Sequence, residues 1–417
     1  MLSPSITDGL RKKLIEKNFF YFIILFMISK NYDLVILGAG IAGLSLANEL
    51  INSGLKILLI DTKGEIDTVK YLSSGSFLNN NNLKLPEKLF YNVNKLYFYS
   101  GSNLLIKNIK ARVIDRKGLL KFWYNNLLND NNIDIQLGVN LIDLKIKKNT
   151  VKYIVFSRKS KTFKVFAKVF ADCTGFNSYI GKKIGLFRQN YIPAFGIEYL
   201  LPLKNQIKKI FLFIGKGLNS GYGWIFPLNK KYAIAGFGTI DKNDFKNVRS
   251  IFSKMYENWH LSKICKFKPS NITFATLKTG YPVKSLTKGN VLLIGDSALQ
   301  ANPLIGEGIR FIIDAAGMAA KWIKIAISNN NIKILHNYSK QWRQKYYKMY
   351  KNAFFIQRFL YYACKNDKIC DKGISVLKCA SNNEIEQIIG GNISFCLLFK
   401  LFLKALWKYK IKKFIAK

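Results

Sequence analysis

An α/β fold built on a parallel sheet, joined to a mostly β region and a helical C-terminal part, is predicted by three observations. First, Gly38-x-Gly40-x-x-Gly43 falls between a short apolar run and a helix-like segment, and a second apolar run follows that ends in Asp61. Second, "GNVLLIGDSALQANPLIGEGIRFIIDAAGMAAKWI" repeats the strand, glycine loop and helix pattern far along the chain. Third, Tyr222, Trp224 and Phe226 alternate up to Pro227, which is the period of a strand showing one face to something apolar.

The first segment, "YDLVILGAGIAGLSLANELINSGLKILLID", breaks into parts with separate tasks. A buried strand over Asp33–Leu37 enters the glycines, a helix containing Ala47 leads to a turn at Gly54, and a second strand over Lys56–Ile60 delivers Asp61. Gly38 permits the tight turn, Gly40 lets a pyrophosphate approach the backbone, and Gly43 lets the helix pack on the strand. The helix N-terminus then faces the phosphates, and Asp61, 23 residues after Gly38, is placed to accept from ribose hydroxyls. These parts in register predict a Rossmann-type dinucleotide-binding unit.

In the second segment a buried strand over Val291–Ile294 ends at Gly295-Asp296. A loop with Pro303 then leads to Gly306-x-Gly308 and a long helix opening at Ile309. This resembles the second flavin fingerprint of the FAD-dependent group that includes the aromatic hydroxylases. The resemblance implies that FAD is the cofactor, that Asp296 holds a ribityl hydroxyl, and that the helix N-terminus faces the flavin pyrimidine edge. Such placement suits reduced flavin, which carries negative charge near N1 and O2. "ARVIDRKGLLKFWYNNLL" sets Arg116 at a helix head, resembling the arginine before the central helix of these flavoproteins. "VFADCTGFNSYIGKKIG" resembles their third motif through Asp172, Gly175 and Ser178. It departs from the usual pattern in reading ADCTG, and in having Lys182 or Lys183 where an arginine is usual.

"YGWIFP", eight residues and "GFG" resemble the YxWxFP…GxG signature of the geranylgeranyl reductases, flavoenzymes that saturate prenyl double bonds. "FGIEYLL" (Phe195–Leu201), "GYPVKSLTKGNVLLIGDSALQANPLIGEGI" and "EIEQIIGGNISFCLLFKLFLKAL" follow in the family's order, so the resemblance spans roughly residues 31–410. It implies a prenyl substrate such as digeranylgeranylglycerophospholipid, a chlorophyll precursor or a quinone tail, with NAD(P)H or ferredoxin as electron donor. An uncharged twenty-carbon chain can be held only by apolar surface. Tyr222, Trp224 and Phe226 are therefore candidate substrate-binding residues in a tunnel wall; the same alternation would also suit a solid core. Pro227 would end the strand, and Gly236 and Gly238 would let a neighbouring strand come close.

An isolated trisubstituted alkene has no carbonyl to take up charge. The expected chemistry is therefore protonation of the less substituted carbon with hydride delivered to the tertiary one, aromatic faces supporting cation character. No proton donor is identifiable. Some relatives carry a cysteine near the region matching "VKYLSSGSF", where this chain has Tyr71, Ser73, Ser74 and Ser76. A flavin monooxygenase or halogenase would share the FAD motifs, and a lycopene-cyclase-like enzyme would use the fold on an isoprenoid without net reduction. A non-catalytic flavin-binding adaptor is the remaining class.

With 66 Lys and Arg against 24 Asp and Glu, the 417-residue chain has a formal charge of +42, and 49% hydrophobic residues exclude disorder. The basic excess suits anionic headgroups and also an AT-rich coding bias; no nucleic-acid-binding signature accompanies it. Two histidines, His260 and His336, and six cysteines without metal spacing argue against a metal site. The spread of cysteines suits a reducing cytoplasm, although Cys364, Cys370 and Cys379 could pair under oxidation. "FFYFIILFMI" (Phe19–Ile28) is too short to span a bilayer, and translation is expected to begin at Met27. Near the C-terminus, Phe395, Leu398, Phe402, Ala405 and Leu406 recur at helical spacing among thickening lysines. That is the pattern of a helix lying on a membrane or, alternatively, of a plain packing helix. The expected localisation is cytoplasmic and peripherally membrane-associated. The expected organisation is an extension over 1–30, an FAD domain from 31–75, 105–185 and 285–330, a substrate domain from 76–104 and 186–284, and helices over 331–417.

Overall fold

The structure, a computed structural model, describes residues 27–66, 74–76, 85–187, 191–215, 217–218, 221–259, 261–266 and 272–415. Strands are numbered in chain order. One eight-stranded sheet contains β1 (Met27–Leu37), β2 (Ile57–Asp61), β6 (Ile133–Leu137), β7 (Asn140–Lys147), β8 (Thr150–Arg158), β9 (Lys161–Asp172), β15 (Thr287–Lys288) and β16 (Val291–Leu293). Its main path runs β15-β16-β9-β1-β2-β6, parallel from β16 to β6, with the β7–β8 pair branching from β9.

Burial on both faces explains why its central strands read as unbroken apolar runs. Leu34, Val35 and Ile36 of β1 and Ile57 and Leu59 of β2 are fully inaccessible, packed in the largest core cluster with the helices Ile41–Asn48 and Ile309–Ser328. Strand β1 is longer than the expected Asp33 start, because Met27–Lys30 pair with Thr162–Val165 of β9. Residues 27–30 thus belong to the sheet rather than to an extension. The apolar run beginning at Phe19 lies mostly outside the described residues.

The second sheet contains β3 (Ser74–Ser76), β4 (Phe90–Ser100), β5 (Asn103–Ile114), β10 (Ile192–Pro202), β11 (Lys209–Ile214), β12 (Tyr222–Pro227), β13 (Tyr232–Thr239) and β14 (Ile272–Thr279). Its order is β14-β10-β13-β12-β11-β4-β5-β3, antiparallel throughout except where β11 lies parallel to β4. Strand β5 pairs with β4 along almost its whole length, so residues 105–114 lie in this sheet and not with the nucleotide segments as expected. The helix Val248–Asn258 covers β10 and β13 through Phe252 and Met255. The helices Asp367–Leu377 and Asn382–Ile389 cover β4 and β5 through Ile374, Ile385 and Ile389, and the helix Phe395–Ile415 packs on the first of them, with Leu401 in the same cluster.

The six cysteines are free thiols. No helix among the described residues is long and apolar enough to cross a membrane, and no group of metal-ligating side chains occurs among them.

Candidate active site

Three parallel strands end level with one another. Leu37 of β1 is in register with Asp172 of β9, which is in register with Leu293 of β16. Each strand leaves its end into one of the expected motifs, so Gly38, Asp172–Gly175 and Gly295-Asp296 meet along the carboxyl edge of the sheet, where open α/β sheets bind ligands.

The glycines of the first motif differ in what they do. Gly38 has φ +103°, and a Cβ there would strike the Cys173 carbonyl; a Cβ on Gly43 would overlap the Gly38 carbonyl. Both are required by the protein itself. Gly40 has ordinary backbone angles, and a Cβ on it would meet nothing within 4 Å. It opens onto a cleft also lined by Ala39, Asp61, Arg116 and Leu120. Asp61 Oδ2 accepts from the Ala39 N–H at 2.7 Å and Oδ1 from the Lys63 N–H at 2.8 Å, which fixes the carboxylate on the wall of this cleft. Arg116 heads the helix Arg116–Leu127, capped by Asp115, and its buried Nε has no partner among the described residues. A cradle with open space over Gly40 and an unpartnered guanidinium nitrogen beside it fits a dinucleotide.

Asp172 organises its own loop. It is fully buried; Oδ1 accepts from the Thr174 N–H (3.0 Å) and hydroxyl (2.6 Å), and Oδ2 from the Gly181 N–H (2.8 Å). Both oxygens face its own loop and hold Gly175 in place at φ +60°. Lys182 approaches this centre, lying near the Lys278 ammonium, whereas the Lys183 amine turns to the Tyr179 hydroxyl.

The second motif is a short 3-10 turn over Gly295–Ala298 followed by a loop to the helix Ile309–Ser328. Gln300 and Asn302, both fully buried and both missed from sequence, shape it. Gln300 Oε1 accepts from the Gly295 N–H, and Asn302 Oδ1 accepts from Leu304 N–H while its amide donates to the Gly391 carbonyl. The Pro303 carbonyl accepts from Gln357 Nε2, Gly306 takes φ +68°, and Gly308 immediately precedes Ile309. Burial pushes the Asp296 carboxyl up to about 6 against the opposing pull of Arg116 and Lys278.

The ring row faces this loop. Tyr222 donates its hydroxyl to the Ile305 carbonyl at 2.8 Å. The ring centroids of Tyr222 and Trp224 are 5.3 Å apart, and those of Trp224 and Phe226 are 6.2 Å apart, so the three share one face as the alternation required. Trp224 lies across β13: a Cβ on Gly236 would come within 2.5 Å of its ring, and one on Gly238 within 3.1 Å. Across that glycine floor its indole N–H reaches Glu198 Oε1 on β10 at 3.2 Å. Phe226, at the far end, packs against the cluster beneath the C-terminal helices.

Sequence reasoning passed over two charged residues here. Glu198 is 7% exposed, and its Oε2 has no partner among the described residues. Burial pushes its carboxyl up to about 8, only partly opposed by Arg116 and the Trp224 N–H. Lys278 of β14 is fully buried, donates to Ser178 Oγ at 2.7 Å, and sits 4.3 Å from the Phe187 ring centroid and 5.0 Å from that of Tyr191. Burial lowers its ammonium to about 8. The available signal for both was a lone charge inside an apolar alternating run, "FGIEYLL" and "ITFATLKTGYPV". Tyr71, Ser73 and His260 lie outside the described residues, and Ser74 and Ser76 are in β3.

Fold and site together define the class of flavin-dependent oxidoreductases with an aromatic-hydroxylase-like architecture. A geranylgeranyl bacteriochlorophyll reductase-like protein of Thermoplasma acidophilum superposes with a TM-score of 0.77 at 19% identity, over 90% of this chain and 96% of that one. The flavin-dependent brominase Bmp2 gives 0.67 at 14% identity, over 93% and 100%. In sequence, the chain is 24% identical over 333 residues to digeranylgeranylglycerophospholipid reductase 1 of Methanococcoides burtonii, covering 75% of this chain and 79% of that one. It is 23% identical over 384 residues to the digeranylgeranylglycerophospholipid reductase of Methanococcus aeolicus, covering 88% and 95%. No family model matches. The similarity to the digeranylgeranylglycerophospholipid reductases thus runs over most of the chain.

Proposed function

We propose that this protein is an FAD-dependent reductase that saturates C=C bonds of geranylgeranyl chains, with membrane-lipid precursors such as digeranylgeranylglycerophospholipid as substrates. The observation that carries the reading is the continuity of the ring row. One end, Tyr222, bonds the Ile305–Gly306 loop of the flavin motif, and the other, Phe226, abuts the cluster under the C-terminal helices. An apolar chain lying along that row would run from the outer helices to the cofactor edge. Burying most of a twenty-carbon prenyl chain is worth on the order of 10 kcal/mol before ordering costs.

Gly38, Gly40 and Gly43 would cradle the FAD pyrophosphate, with Asp61 at the ribose and Arg116 alongside. The Gly295-Asp296 turn and the Pro303–Ile309 loop would hold the ribityl chain and pyrimidine edge, with Asp172 and Gly175 shaping the adjoining loop. Reduced flavin, once bound, supplies the hydride. The protein's own part is to exclude water with Tyr222, Trp224 and Phe226, to orient the alkene, and to support positive charge at its tertiary carbon with the Trp224 and Tyr222 faces. NAD(P)H or ferredoxin would reduce the flavin.

The helix Phe395–Ile415 would rest on an anionic membrane surface. Leu401 faces the protein, whereas Phe395, Phe399, Phe402, Leu406 and Trp407 are exposed, Trp407 by 71%. Exposed aromatics flanked by lysines suit the headgroup boundary.

The test is an anaerobic incubation of the flavin-loaded protein, chemically reduced, with a digeranylgeranyl lipid. A mass gain of two hydrogens per saturated bond is expected, and recovery of unaltered lipid would overturn the reading.

A further inference from the structure

We propose that Glu198 is the proton donor of the reduction, delivering its carboxyl proton to the alkene carbon that does not receive the hydride. The inference rests on the prenyl-reductase reading above and names the group which that chemistry requires.

Placement comes first. Glu198 on β10, Gly236 on β13 and Trp224 on β12 stand directly opposite one another across three adjacent strands, hence on one face of the sheet. Gly196, Gly236 and Gly238 leave that face without side chains of their own, and the Trp224 indole lies over them. Glu198 therefore sits beside the ring row at the edge of a flat floor. Oε1 is held by the Trp224 N–H, and Oε2 is buried without a partner among the described residues. A buried, orphaned carboxyl oxygen is costly unless it carries a proton or meets a ligand.

The competing acids are less suited. Tyr222 donates its hydroxyl to the Ile305 carbonyl, and burial beside Glu198 and Glu307 raises its phenol far above the range of a useful acid. Asp296 lies near Arg116 and Lys278 and is pushed only to about 6. Lys278 points away from the row into Ser178 and the Phe176, Phe187 and Tyr191 rings. Of these groups, Glu198 alone combines a place beside the rings with a proton whose acidity lies near neutral pH. The charged or titratable groups facing it are Arg116 from its helix head and Tyr222 from β12. A donor poised near the working pH is the efficient kind.

The step balances. The O–H bond of Glu198 breaks as a C–H bond forms at the less substituted alkene carbon. A reduced flavin held at this site would supply the hydride for the second C–H bond at the tertiary carbon, and with it the two electrons that the alkene gains. Solvent then returns a proton to the carboxylate.

The test combines turnover with a readout that needs neither flavin nor lipid. In the holoenzyme, Glu198→Gln keeps an oxygen for the Trp224 N–H but has no acidic proton. Saturation of a digeranylgeranyl lipid is expected to fall about 10²-fold or more, with flavin still bound. Turnover within a few-fold of the unmodified enzyme overturns the proposal. In full-length protein labelled with 5-fluorotryptophan, the ¹⁹F resonance missing from Trp224→Phe is expected to shift with a midpoint near pH 8 and to stay flat in Glu198→Gln. No titration in the unmodified protein, or the same titration in the variant, also overturns it. Should the unmodified holoenzyme saturate no prenyl alkene, the underlying function fails first; an active enzyme with an active Gln variant sinks only the role of Glu198.

Discussion

The cleft over Gly38–Gly43 and the ring-lined face of β12 are built by opposite means. In the cleft the backbone does the work: strand ends in register, a turn that only glycine can make, and a helix packed against its own loop. On the ring face, rings from β12 and a carboxyl from β10 meet over a glycine floor supplied by β13. The first construction is local and intolerant. The second depends on which strands pair, and its glycines matter through a neighbour's ring rather than through their own angles.

That contrast can be broken most sharply at the glycines. Gly43→Ala drives a methyl into the Gly38 carbonyl and is expected to abolish flavin binding and cost several kcal/mol of stability. Absorbance of bound flavin and thermal melting would report both. Gly40→Ala should leave the unfolding free energy of the flavin-free protein within about 0.5 kcal/mol, and so its melting temperature nearly unchanged, yet still lose most of the bound flavin. Equal melting losses at the two positions would refute the division of labour.

On the ring face, Gly236→Ala should displace the Trp224 indole while flavin stays bound, lowering prenyl turnover by about tenfold, the loss of roughly 1.4 kcal/mol of positioning. Flavin loss with retained turnover would reverse the assignment.

The buried carboxyl adds a pH test. Folding raises Glu198 from its ordinary 4.5 to about 8, so its contribution to stability is fully present below pH 4.5 and is lost as pH rises through 8. Glu198→Gln should therefore gain stability relative to the unmodified protein across that window, by on the order of a few kcal/mol at pH 9. Urea unfolding at pH 4.5 and pH 9 measures the difference, and a constant offset would contradict it.

The smallest effect belongs to the outer helix. Trp407→Ala should reduce low-salt sedimentation with anionic vesicles by a few-fold and leave catalysis on detergent-dispersed lipid unaltered.

Legibility in the sequence follows the same division. The glycine spacings and Asp61 could be read directly because contiguous residues dictate them. The one-faced ring row was legible from strand period alone. Asp172 was found, but not the direction of its carboxylate, since Thr174 and Gly181 capture it only once the loop closes. Glu198 and Lys278 escaped because their chemistry comes from burial between strands and helices separated by tens to hundreds of residues, as in the Lys278–Ser178 bond. Strand β5 was misassigned for a related reason: it is continuous in sequence with the Arg116 helix, yet its partner is β4.

The most direct test of the central claim is lipid mass spectrometry after co-expression with a pathway that makes unsaturated digeranylgeranyl lipids. With the unmodified chain the lipids are expected to gain two hydrogens per saturated bond; with Trp224→Ala, purified still carrying flavin, that gain should disappear. Undiminished saturation by Trp224→Ala, or none by the flavin-loaded unmodified protein, would contradict the account.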